Sequence, residues 1–118
     1  MEVPVTDFAI DVSELKRCVL VKLDGRIDSS KAAAVESALD EQIERGNYRF
    51  VIDMSDVEYV SSAFLRVMIS KMKAAKKWNR GNVYLAAMQP RIVDVFDLAG
   101  ITELFKTYPN VTEAVGDW

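Results

Sequence analysis

The stretch Val51-Ile52-Asp53-Met54-Ser55-Asp56-Val57-Glu58-Tyr59-Val60-Ser61-Ser62-Ala63-Phe64-Leu65-Arg66-Val67 joins an apolar run to an acidic turn and then to two hydroxyls that open a helical pattern. The spacing predicts a strand over Arg49 to Met54, centred on Phe50-Val51-Ile52. It is uniformly apolar rather than alternating, as in a strand covered on both faces. Ser55 to Val60 reads as a loop, with Asp53 and Asp56 at the strand end as turn formers. From Ser61-Ser62 a helix is predicted to about Trp78. Leu65, Met68, Ile69, Met72 and Ala75 make its apolar stripe, and Ser62, Arg66, Ser70, Lys73 and Lys77 share the opposite arc. Gly81 ends this strand-helix unit.

The pattern repeats on both sides. Upstream, Phe8 to Val12 alternates apolar and polar residues, and Cys18 to Leu23 is a second strand, so the two form a hairpin. Gly25-Arg26-Ile27-Asp28 reads as a turn, with Asp28, Ser29 and Ser30 as N-cap candidates. Ala32, Val35, Leu39 and Ile43 then mark a helix that Gly46 closes. Downstream, Val83 to Ala87 is a strand, and Pro90 takes the first position of a helix. Ile92, Val95, Phe96 and Ala99 form the stripe of that helix and Gly100 stops it. Leu104-Phe105 reads as a short strand and Thr112 to Val115 as a last helical turn. Strands alternating with helices after an opening hairpin predict an α/β fold. Its sheet is mixed, mostly parallel, of four to five strands with helices packed against it. With 118 residues and no linker or repeat, one domain over residues 1–118 is expected.

Composition narrows the chemistry. The chain has no His and one Cys. That removes His-activated nucleophiles, His-ligated metals, CxxC redox chemistry and cysteine zinc clusters. Glycine-rich phosphate loops and HExxH elements are absent, so an enzyme is not expected. The net charge of −3 argues against a nucleic-acid module. Charge is unevenly placed: Tyr59 through Ile92 carries seven basic and no acidic residues, leaving eight basic against 18 acidic elsewhere. A solvated helix face accounts for such a run, and it also has the layout to steer a partner. Met1-Glu2-Val3-Pro4 does not open a secretion signal, no apolar run suits membrane insertion, and Cys18 sits in an apolar run as a buried free thiol. A cytoplasmic location is therefore expected.

Four stretches, in order and at matching intervals, carry a family resemblance. They are Gly25-Arg26-Ile27-Asp28, Asp53-Met54-Ser55, Tyr59-Val60-Ser61-Ser62-Ala63-Phe64-Leu65, and Pro90-Arg91 followed by Phe96-Asp97-Leu98-Ala99-Gly100-Ile101 and Leu104-Phe105. The chain resembles the STAS domain of anti-sigma factor antagonists over nearly its whole length. Typical members read Asp-Ser-Ser/Thr-Gly-Leu at the start of the second helix, and the first Ser is phosphorylated by the anti-sigma factor, itself a kinase. Aligning Leu65 places Ser62 at the phosphoacceptor position. Ser61 then replaces the Asp, Ala63 the second hydroxyl and Phe64 the Gly.

The resemblance implies a binding module whose partner is an anti-sigma factor or related Ser/Thr switch kinase, freeing a sigma factor by capturing it. Partner-binding residues would be Asp28, Ser61, Ser62, Ala63, Phe64 and Arg66. The chain needs no cofactor of its own, since ATP and Mg²⁺ belong to the kinase. Phe64 is expected to fill local core or to cover the space of a nucleotide. Two alternatives stand beside this reading. One is a STAS scaffold that works unphosphorylated in a larger signalling or lipid-transport assembly. The other is a receiver-like domain with Asp53 as phosphoacceptor.

Overall fold

A computed structural model describes residues 8–78 and 80–118. The opening Met1-Glu2-Val3-Pro4, read above for targeting, lies outside the described residues. The chain runs β1 (Phe8–Glu14), β2 (Val19–Ile27), α1 (Ser29–Glu44), β3 (Arg49–Val60), α2 (Ser62–Lys76), β4 (Asn82–Ala86) and α3 (Pro90–Leu98). A 3₁₀ turn (Thr102–Leu104), β5 (Thr107–Tyr108) and α4 (Val111–Gly116) follow. Five strands form one mixed sheet in the order β1-β2-β3-β4-β5. The β1–β2 pair is antiparallel and the rest are parallel. The expected α/β fold with a mixed, mostly parallel sheet is what the chain forms.

Side chains alternate across the sheet, as a strand's period of two requires. Val19, Val21 and Leu23 of β2, Phe50, Ile52 and Met54 of β3, and Val83 and Leu85 of β4 face one core. On that side they meet Ala32, Val35 and Leu39 of α1, Phe64, Met68 and Met72 of α2, and Ile92 and Phe96 of α3. The intervening Val51, Tyr84 and Ala86 pack on the other side against Ala114 of α4, with Trp118 stacked on Tyr84 at 4.1 Å. β3 is thus covered on both faces, which explains its uniformly apolar centre. Cys18 is buried beside Val51 and Tyr84, and burial raises its thiol pKa, so it packs as a small apolar residue.

Three expectations are corrected. Ser55 to Val60 is not a loop: β3 continues to Val60 because β2 also continues, through Gly25-Arg26-Ile27, and pairs with it. Register shifts at Lys22/Asp24 and Gly25/Arg26 bend the pair, and Gly25 takes φ of 98° there, a conformation that favours glycine. Val57, Val60 and Ile27 bury on the core side, which holds the extension. Gly25–Ile27 is therefore strand, and Asp28 alone is the turn into α1. Further on, Leu104-Phe105 is no strand. Leu104 ends the 3₁₀ turn, Phe105 drops into the core against Phe96, and the edge pairing is made two residues later at Thr107–Tyr108.

Candidate functional site

β2 and β3 end level with each other, Ile27 opposite Val60. Each strand then enters a helix through a single capping residue. Asp28 caps α1: its Oδ1 accepts from the Lys31 backbone N–H at 3.0 Å and from the Ser30 hydroxyl at 2.8 Å. Ser61 caps α2: its Oγ accepts from the Phe64 N–H at 3.3 Å. The Ser61 N–H donates to the Ile27 carbonyl at 2.9 Å, which locks the two helix starts side by side. The pairing follows from parallel strands, whose helices all leave from the same edge of the sheet.

Electrostatics follow the caps. The Lys31 N–H, then the Ser30 hydroxyl, and the Lys31 ammonium at 3.5 Å lower the Asp28 pKa below its ordinary 3.8. The first turn of α2 holds no acidic residue, whereas its last turn holds Lys73 and Lys76. The positive end of the α2 dipole is thus uncompensated by a carboxylate of its own first turn. Ser62 is exposed at the first helical position, and Arg66, also exposed, stands one turn further along. The ion pairs among the described residues do not include Arg66.

Ala63 and Arg66 line a shallow cleft of about 330 Å³ between α1 and α2, opposite Ser29 and Glu36. Lys71 clamps the two helices further down: its ammonium is 2.6 Å from Asp40 and 3.5 Å from Glu36. These carboxylates raise the Lys71 pKa against the lowering effect of its own burial, so it stays charged. Lys71 read only as part of a basic helix face, because nothing local reveals partners 31 and 35 residues upstream on another helix.

The structure therefore gathers Asp28, Ser61, Ser62, Ala63 and Arg66 at one edge. Phe64 departs from the expected partner-binding set. It is 0% exposed and packs in the main core, so it supports the start of α2 from beneath and offers no surface. Of its two expected roles, it fills local core. Asp53 is not strand-terminal either. It lies within β3, buried on the face opposite α1 and α2, where its carboxylate accepts from the Ser55 N–H at 3.0 Å and faces Lys22 at 3.6 Å. Lys22 also binds Asp56 at 2.9 Å. Asp53 thus stands level with Ala86 at the end of β4, eight residues before the Ser61 cap and on the face opposite α1 and α2. No group of three or more His, Cys, Asp or Glu suited to a metal occurs among the described residues. No helix among them is long and apolar enough to cross a membrane.

A central mixed sheet with helix caps paired at its parallel edge is the architecture of STAS domains, and the STAS domain model matches residues 9–114. The chain belongs to the STAS domain family. Within it, the chain is 27% identical over 96 residues to BtrV of Bordetella bronchiseptica, named as a candidate anti-sigma factor antagonist. That match covers 81% of this chain and 82% of BtrV. It is 26% identical over 84 residues to the anti-sigma-B factor antagonist of Staphylococcus epidermidis, covering 71% of this chain and 77% of that protein. The crystal structure of an anti-sigma factor antagonist from Mycobacterium paratuberculosis shares the fold. The TM-score is 0.81 at 23% identity, with 98% of this chain and 97% of that one covered.

Proposed function

We propose that this protein is a phosphorylation-gated binding module that captures an anti-sigma factor, a Ser/Thr switch kinase, through the edge where α1 and α2 begin. One observation carries the reading: Ser62 is the exposed first residue of α2, capped by its neighbour and free of first-turn acids. Its relatives' names supply the partner class.

In the unmodified state Asp28, Ser61, Ser62, Ala63 and Arg66 present a compact polar surface to the partner. The kinase's ATP then gives its γ-phosphoryl group to Ser62 Oγ, ADP leaves, and the hydroxyl proton passes to a base on the kinase. The modified side chain gains a charge of about −1.5 to −2. Arg66 at i+4 and the α2 dipole stabilise that charge within this chain. An acidic partner surface is repelled by it, and any docked contact must now desolvate a dianion. The complex dissociates. All steps of phosphoryl transfer use the kinase's ATP and Mg²⁺, and this chain acts as the recipient.

The test is incubation with the cognate kinase and ATP, followed by intact-mass measurement. One added phosphate that Ser62→Ala abolishes is expected. No added phosphate overturns the reading and favours an unphosphorylated scaffold, and a phosphate that survives in Ser62→Ala overturns it in favour of another acceptor residue.

A further inference from the structure

The opposite pole of the sheet, where β3 and β4 begin, carries a wide cleft. It lies about the length of β3 from Ser62, roughly 35 Å at the usual strand rise, and its argument does not rest on the Ser62 reading. Here a cleft of about 620 Å³ is lined by Arg17, Arg49, Arg80, Lys106, Asn82 and Trp118, among others. A volume of that size suits a small ligand. Arg17 and Arg49 also line a neighbouring cleft of about 340 Å³ at the β1–β2 turn, so these two residues border both clefts.

Four of the lining residues are cationic and one, Asp117, is acidic. The ion pairs among the described residues include none of Arg17, Arg49 and Arg80. Arg17 donates to the Trp118 backbone carbonyl at 3.1 Å, which uses one of its five N–H groups. Asn82 Oδ1 accepts from the Val83 N–H at 2.8 Å, which leaves its amide N–H₂ as a donor. The carboxylate in the lining, Asp117, is already engaged by the Tyr108 hydroxyl and by Lys106 at 3.8 Å. The aromatic floor is fixed rather than free: Trp118 stacks on Tyr84, Arg49 stands 6.0 Å from the Trp118 ring, and Lys106 stands 5.6 Å from the Tyr84 ring. Forked guanidinium donors match phosphate oxygens, and several together match a ligand with more than one phosphate.

We infer that the Arg17–Arg49–Arg80–Lys106 cleft binds a small ligand carrying clustered phosphate groups. Its source is either inorganic oligophosphate or a phosphate ester, and the shared recognition is of the phosphates.

The probe is inorganic tripolyphosphate, titrated into the full chain by calorimetry. A Trp78→Phe variant, followed by fluorescence, makes Trp118 the reporting tryptophan. Saturable one-to-one binding is expected, weakened at least tenfold in Arg49→Ala and in Arg80→Ala. Lys73→Ala, on the exposed face of α2, serves as a charge-matched control and should retain full affinity. Circular dichroism of each variant separates lost binding from lost fold, and Arg49→Lys should recover part of the affinity. A nucleoside triphosphate and a sugar bisphosphate form further arms. Tighter binding of either than of tripolyphosphate assigns an ester source, and equal or weaker binding assigns the inorganic one. The inference is overturned if tripolyphosphate does not saturate in the millimolar range, if Lys73→Ala weakens it as much as Arg49→Ala, or if a hexaglutamate peptide binds more tightly.

Discussion

Ser62 and Phe64 are two residues apart and do opposite work. Ser62 is exposed on the first turn of α2, and Phe64 is wholly buried beneath it. Phe64→Ala should therefore cost about 3–5 kcal/mol, the range for truncating a buried Phe, read as a lowered midpoint in urea. Ser62→Ala should stay within about 0.5 kcal/mol of the parent, as surface changes do. Asp28 adds a pH dependence. Its pKa is lowered in the folded chain, first by the Lys31 N–H. Its contribution is present above the ordinary 3.8 and is lost as the pH falls through the lowered folded value. Asp28→Asn keeps a capping oxygen without the charge, so its stability should fall less steeply below pH 4 than the parent's. Parallel acid denaturation profiles for the two would contradict this. The Asp28 cap was legible because capping chemistry is local, whereas Ser62 was singled out by the family resemblance. The burial of Phe64 was one of two expected roles, and the choice between them was not legible, because the facing strands and helices decide it.

At the scale of elements, the strand and helix order was readable from periodicity, and the errors fell where pairing partners decide. Ser55 to Val60 has the Asp, Ser and Glu content of a loop, yet it is strand because β2 runs alongside it as far as Ile27. Leu104-Phe105 looks like a strand in composition, but the Phe96–Phe105 contact draws it inward and leaves Thr107–Tyr108 to join β4. The α2–β4 junction is tight: a Cβ added at Gly81 would lie 1.9 Å from the Ala75 carbonyl oxygen. Backbone cannot yield as a side-chain tip can, so Gly81→Ala should destabilise by at least about 2 kcal/mol, within or above the range for overpacking. A thermal melt checks it, and an unchanged midpoint would show that the junction has slack. Gly46, with φ of 88° and open space around it, ends α1 by conformation alone.

At the scale of the whole molecule, charge and chemistry divide between the two ends of the parallel strands. The helix-starting edge holds the exposed Ser62, the capping carboxylate of Asp28 and Arg66, which is in none of the ion pairs among the described residues. The strand-starting edge holds the arginine-lined cleft. The most direct test is the affinity of the proposed partner, an anti-sigma factor, for the parent, Ser62→Ala and Ser62→Asp chains, measured by calorimetry. The account predicts that Ser62→Ala binds within about twofold of the parent. It predicts that Ser62→Asp, folded and of undiminished stability because an acid suits the α2 N-terminus, binds at least about tenfold more weakly, a cost of about 1.4 kcal/mol. Equal affinities for the two variants would contradict it.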